Sequence, residues 1–184
     1  MNAYSNAQPG DEPVDVTKSF DRKKICILRG DLCFSARLDQ EKAPVEFWKC
    51  EPRSWETFTV CVMPDGWCAL RCNNGSYISV RPDHHIKEES WDFSNGTKSG
   101  IPPKRMWKDR AVPMLYANAT EPRSWEMFRI FRIGTLYALQ AQFNENYIGD
   151  WHSAEPLKGQ EYQLVALGAK PAKAAGTLFG IVEK

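Results

Sequence analysis

The chain has 184 residues, 42% of them apolar and 12% aromatic, and a formal charge of +1. That length fits a single domain with a substantial core. So small a charge excludes a global pull toward nucleic acid or an anionic membrane, and no window approaches the ~18 apolar residues of a membrane-spanning helix.

Residues 1–22 mix Pro, Gly, Asp, Asn and Ser without apolar periodicity and read as a flexible N-terminal arm. The opening shows no apolar core behind a basic start, so secretion by the usual route is not expected and the expected location is cytoplasmic. Six cysteines, Cys26, Cys33, Cys50, Cys61, Cys68 and Cys72, fall within the first 72 residues. None forms a CxxC pair, so zinc lacks its usual ligand spacing. They read as small buried hydrophobes, with a disulfide or a metal site as the alternatives.

From Lys23 onward, short runs of period-two alternation are broken by Gly, Asn, Asp and Pro, which marks an all-β domain over 23–184. The decapeptide EPRSWETFTV (51–60) returns as EPRSWEMFRI (121–130). CALRCNNGSYIS (68–79) returns as YALQAQFNENYIG (137–149), and CILRGDLCFS (26–35) is a shorter version. Closing strands follow as WETFTV, WEMFRI and, at the end, GTLFGIV. Duplicated sequence implies units that pack on one another, here over about 23–63, 64–133 and 134–184. Asn74-Gly75 predicts a two-residue hairpin turn, with Gly30-Asp31 and Asn144 to Asn146 as its counterparts.

The alignment places Leu28, Leu70 and Leu139 at one position and Phe34, Ile78 and Ile148 at a second. Phe58, Phe128 and Phe179 occupy a third, with Val60, Ile130 and Ile181 two residues later on the same strand face. These sets predict layers across a pseudo-threefold axis, each burial worth roughly 1.5–3 kcal/mol. Gly176 stands where the other copies have Trp55 and Trp125. Residues 81–112 make the second unit long, and their Pro, Gly, Ser and charge predict an extended surface loop.

The pattern resembles the β-trefoil modules of fascin-like, actin-cross-linking proteins. It is carried by Trp55, Glu56, Phe58, Val60, Gly66, Ala69, Leu70, Arg71, Asn74, Gly75, Tyr77, Ile78 and Ser79, and recurs through Trp125, Glu126, Phe128, Ile130, Ala138, Leu139, Tyr147 and Ile148. The resemblance covers about residues 23–184. It implies a single β-trefoil of three four-stranded repeats, six strands in a barrel and six in capping hairpins, with a long insertion in the second repeat. Fascins string four trefoils together and this chain has room for one, so bundling filaments would require two faces or an oligomer.

The repeated EPRSWE reads as structural: Pro ends a loop, Arg pairs with Glu, and Trp packs over a hairpin. Its functional counterpart is a pair of equivalent pockets, each offering an indole and an Arg–Glu pair. In PKRMWKDR (103–110), Lys104, Arg105, Lys108 and Arg110 interleave with Trp107, a mixture that attracts an acidic partner such as an actin surface. Asp150 and Trp151, with Asn144 and Asn146 just before, form a sugar-binding kit in which polar groups fix hydroxyls and a ring stacks on the sugar. The QxW signature of ricin-like trefoil lectins is absent. His84-His85 reads as a surface pair, not a metal site. Sequons stand at Asn74, Asn95 and Asn118.

No nucleophile–base set and no phosphate loop is visible. The expectation is therefore a non-catalytic binding module without cofactor or metal, partnered by an actin filament or another protein. A glycan is a further candidate partner; nucleic acid and membrane insertion are not expected. The alternatives to the actin-associated reading are a cytoplasmic lectin and a trefoil-type protease inhibitor.

Overall fold

A computed structural model of the chain describes residues 12–50, 54–92, 104–150, 164–168, 170–171 and 177–184, with side chains at all of these except 83–92, 104, 108, 110 and 150. The described elements are strands and short 3-10 turns. In chain order the strands are β1 (Val14–Asp15), β2 (Lys24–Arg29), β3 (Leu32–Ala36), β4 (Val45–Lys49), β5 (Phe58–Val62), β6 (Cys68–Arg71) and β7 (Tyr77–Asp92). There follow β8 (Lys104–Ala119), β9 (Phe128–Ile133), β10 (Leu136–Ala141), β11 (Tyr147–Asp150), β12 (Leu164–Gly168) and β13 (Gly180–Glu183).

Pairing closes six of them into a ring. β2 meets β5 at Ile25↔Phe58, β5 meets β6 at Val60↔Leu70, and β6 meets β9 at Cys68↔Phe128. β9 continues to β10 at Ile130↔Leu139, a bridge joins Tyr137 to Phe179 at the start of β13, and β13 returns to β2 at Ile181↔Ile27. The other long strands pair as β3–β4, β7–β8 and β11–β12. Closing a sheet on itself removes its edges.

The ring encloses one apolar cluster. Phe58, Phe128 and Phe179 are fully buried in it, as are Phe34, Ile78 and Ile148. Phe34 stands edge-on to Phe179 with ring centroids 4.9 Å apart, a favoured aromatic arrangement. Leu28, however, is only partly buried, and the residue that meets Ile181 as Leu70 meets Val60 and Leu139 meets Ile130 is Ile27. The expected Leu28 alignment is therefore one residue out. A one-residue slip turns every side chain to the opposite face, and Ile27, wholly buried, holds the core position. Ile181 is likewise only partly buried, packed at the cluster's margin.

Three further expectations are corrected. The arm of residues 1–22 is part of the fold over its described portion: β1 pairs with Phe131 and Arg132 of β9, and a 3-10 turn over Thr17–Phe20 sets Phe20 into the core. The Thr17 hydroxyl accepts the Ile130 N–H at 2.9 Å, so polar anchors supply what periodicity did not signal.

Over its described residues, 81–92 and 104–112, the insertion is no surface loop but part of a β-ribbon, β7 against β8, in register out to Asp92↔Lys104. The register shifts between Arg81 and His84, where Pro82 lies, so two residues oppose the single Pro113. A bulge is where a strand tolerates proline.

The Asn74-Gly75 turn is wider than two residues. Only Gly75 takes positive φ, at 88°, while the Cys72 N–H donates to the Ser76 carbonyl and the Gly75 N–H to that of Cys72. The Asn74 side chain accepts the Ser76 N–H at 3.0 Å.

The cysteines divide. Cys33 and Cys50 form a disulfide, while Cys26, Cys68 and Cys72 are free and buried, as small hydrophobes are. Among the described residues, no helix is long and apolar enough to cross a membrane, and no group of three or more His, Cys, Asp or Glu is placed to hold a metal.

Candidate functional site

The duplicated SWE tripeptides form matching 3-10 turns, Ser54–Glu56 and Ser124–Glu126, each leading into a ring strand. Each turn buries its glutamate. Glu56 accepts the Ser35 hydroxyl at 2.9 Å, and Glu126 accepts the Ser79 hydroxyl at 2.6 Å. Ser35 and Ser79 sit on β3 and β7, one residue after the equivalent core positions Phe34 and Ile78. Two residues beyond each serine comes an arginine, Arg37 just past the end of β3 and Arg81 on β7.

These residues enclose two clefts. The first, about 360 Å³, is lined by Ser35, Arg37, Trp48, Lys49, Ser54, Trp55 and Glu56. The second, about 410 Å³, is lined by Arg81, Asn118, Ala119, Thr120, Glu121, Arg123, Ser124, Trp125 and Glu126. Both volumes fall in the range of small-molecule sites.

In both, a guanidinium lies against an indole. Arg81 is 4.8 Å from the Trp125 ring centre; Arg37 is 4.5 Å from that of Trp48 and 6.0 Å from that of Trp55. Such stacking fixes a flexible side chain and is worth about 0.5–2 kcal/mol. Trp125 is also met edge-on by Phe143, at 5.7 Å.

The arginines are charge-matched. Arg37 donates to both carboxylate oxygens of Asp39 at 3.2 Å and to Glu46 at 2.9 Å. The hydrogen bond from Arg37 holds the Asp39 carboxyl below its ordinary range, and the same bond raises the pKa of Arg37 against the opposing effect of burial. Burial pushes the Glu46 carboxyl up, with Arg37 pulling it back. In the second cleft, Arg81 reaches Glu126 at 3.5 Å, and the other oxygen of Glu126 accepts the Arg123 N–H at 2.8 Å.

The pairing expected inside EPRSWE is present in the second copy, but between Arg123 and the first glutamate, not the buried second one. The side chain of Arg123 pairs with Glu121, at 3.1 Å on the surface, and the arginine that meets Glu126 comes from β7. Arg53 lies outside the described residues. Sequence reading raised the two pockets but missed their wall residues Ser35, Arg37 and Arg81, and Ser79, which holds the wall residue Glu126. The signal was present: Ser-x-Arg follows the aligned core residue in both copies, whereas the third copy has Gly149 and Trp151 there.

The other candidate residues do not gather into one site. Strand alternation sets Lys104, Lys108 and Arg110 on one face of the ribbon, and Arg105 and Trp107 on the other. Arg105 lies 4.9 Å from the ring centre of Trp107, which is 57% exposed. Register places Asp92 opposite Lys104, Glu88 opposite Lys108 and Asp109 opposite Lys87.

In the expected sugar kit, Asn144 is engaged in its own hairpin, donating to the Ala166 carbonyl at 2.7 Å and accepting the Asn146 N–H at 3.0 Å. Asp150 closes β11, opposite Leu164 of β12. Trp151 lies outside the described residues.

No protein-family profile matches the chain, and no curated protein matches it in sequence. Among solved structures it is similar to a designed 3-fold symmetric protein, ThreeFoil, with 9% identity over 88% of this chain and 99% of that one, at a TM-score of 0.58. It is also similar to a chain of the S. cerevisiae protein O-mannosyltransferase Pmt1-Pmt2 complex bound to the sugar donor, with 9% identity, a TM-score of 0.51, and coverage of 98% of this chain and 27% of that one. At such identity the likeness speaks to fold alone: the protein is all-β with a β-trefoil fold.

Proposed function

We propose that the chain is a non-catalytic binding module of three four-stranded repeats (about 23–63, 64–133 and 134–184) related by pseudo-threefold rotation, with its ligand sites in the two clefts. One observation carries this reading. Ser, Arg, Trp and Glu assemble twice, from separated elements, around mouths that stay open to solvent. The buried Ser–Glu pairs serve the fold; an arginine stacked on a partly exposed indole is not needed for that. Nor does the barrel require the assembly, since the third repeat has Gly149 and Gly176 at the serine and tryptophan positions and still supplies β10 and β13 to the ring. In the second cleft Glu126 has both oxygens engaged, by Ser79 and Arg81 on one side and Arg123 on the other.

Screening small polar fragments against the isotope-labelled chain, observing the seven indole N–H signals, tests this. Hits that cluster on Trp48, Trp55 and Trp125 support the clefts. Hits confined to other tryptophans would remove the proposal.

A second reading, an actin-associated protein of the fascin-like class, is favoured by the ribbon, where Trp107 and Met106 are exposed beside Arg105. It predicts co-sedimentation with filamentous actin at low salt, lost when the ribbon is shortened. Absence of pelleting would eliminate it.

A further inference from the structure

Resting on the twin-cleft reading, we infer that both clefts take neutral saccharides and that the chain is bivalent for them. Charge comes first. In the first cleft Arg37 is already bonded to Asp39 and Glu46, and Lys49 shares the lining with Glu56. In the second, Arg81 and Arg123 are answered by Glu126 and Glu121. A phosphate, sulfate or acidic peptide would find each guanidinium engaged and carboxylates at hand to repel it. An uncharged ligand meets no such penalty.

The remaining surface suits a ring with one apolar face and a hydroxylated rim. Trp48, 49% exposed, and Trp55 offer indole surface in the first cleft; Trp125 and the partly exposed Phe143 do so in the second. Polar groups stand around them: Ser54 and the longer Lys49 in one, Asn118, Thr120 and Ser124 in the other. Apolar faces with a few oriented polar groups are what saccharide recognition requires. The arginines are held by stacking and ion pairs, so their spare N–H groups are oriented before the ligand arrives and little side-chain freedom is lost on binding.

The walls are not identical. Tracing the strand pairing, Trp48 lies opposite Cys33 and Ala119 opposite the equivalent Tyr77, so Trp48 in the first cleft corresponds to Ala119 in the second, with one extra residue on β8 at the register shift between Tyr77 and Ser79. The clefts therefore share a floor and differ in the residue that selects among sugars. Two sites on one chain also give it a means of bridging two glycans, with the avidity that linkage brings.

The experiment is a titration of the full chain with methyl mannoside, methyl galactoside and N-acetylglucosamine, against glucuronate and glucose 6-phosphate as charged counterparts, read by indole N–H shifts. At least one neutral sugar is expected to move Trp55 or Trp48 together with Trp125 in the millimolar range, and the charged counterparts to bind at least about threefold more weakly. Trp48→Ala, at an exposed wall, weakens the first cleft by about tenfold or more and leaves the second unchanged. Ser124→Trp, filling the other mouth, does the reverse. A polymer bearing the preferred sugar is cross-linked by the parent chain and by neither variant.

Tighter binding of glucuronate or the phosphate overturns the ligand class. Neutral sugars that move no cleft indole at about 50 mM, while fragments do enter the clefts, overturn this inference and leave the twin-cleft reading standing. Sugar binding at one cleft only overturns bivalence.

Discussion

Glu56 and Glu126 show how one residue type secures a turn. Each carboxylate is buried at the end of a three-residue 3-10 turn, and Glu126 accepts from a hydroxyl, a backbone N–H and a guanidinium. Glu126→Ala would leave the Ser79 hydroxyl and the Arg123 N–H without their acceptor, at a cost of about 2–4 kcal/mol. Ser79→Ala and Glu126→Gln should couple, the double variant losing about 0.5–3 kcal/mol less than the sum of the singles. Urea unfolding measures both, and strictly additive losses would contradict the shared bond. The buried thiols make a second prediction at this scale. Burial lifts Cys68 to about 12 and Cys72 to about 11 from the ordinary 9.0. Above about pH 9 the unfolded chain releases these protons and the folded chain keeps them, so stability falls as pH rises. The fall continues to about 11 for Cys72 and about 12 for Cys68, each with a slope of about 1.4 kcal/mol per pH unit. Cys68→Val and Cys72→Val should each flatten that slope between about pH 8 and about 10.5; an unchanged slope in both would rule this account out.

At the scale of elements, the long ribbon separates into a base and an outer part. Ile78, Val80, Val112, Met114 and Leu115 are buried at the base, whereas Arg105, Met106, Trp107, Asp109 and Ala111 are exposed beyond the bulge. Replacing residues 84–111 with an Asn-Gly turn should therefore change stability by no more than about 0.5 kcal/mol, as surface changes do. A large drop in the thermal midpoint would show that the outer ribbon supports the body. The same element shows where sequence was legible and where it was not. Ring strands such as 58–62 and 128–133 announce themselves because one face is buried, which enforces alternation. The outer ribbon buries neither face at its described side chains, so alternation has no cause there, and Pro82 and Pro113 read as loop markers although a bulge accommodates them. The cleft was half legible. SWE recurs as a word, but the serines and arginines that complete it come from other strands, and only pairing brings them together. The N-terminal arm escaped because Val14–Asp15 is too short to show a period.

Over the whole molecule, the decisive feature is that closure depends on the last strand. β13 pairs with β2 over four residues, and just before it Phe179 reaches Tyr137. Phe58 pairs with Ile25, Phe128 with Cys68 and Phe179 with Tyr137, and each of these partners lies two residues before Ile27, Leu70 and Leu139 respectively. The three phenylalanines thus hold the same relation to the ring, although their local sequences have diverged as far as WETF, WEMF and GTLF. If they form one layer, each fills space bounded by the other repeats, and truncating any of them opens a cavity that no local adjustment closes. Phe58→Ala, Phe128→Ala and Phe179→Ala should then each cost about 3–5 kcal/mol, with values within about 1 kcal/mol of one another. Val182→Ala, on β13 but 45% exposed, should stay within about 0.5 kcal/mol of the parent. Denaturant unfolding of the four variants decides the matter. A Phe179 variant as mild as the Val182 one would mean that the C-terminal strand covers the barrel without completing its core, and the threefold relation would not survive that result.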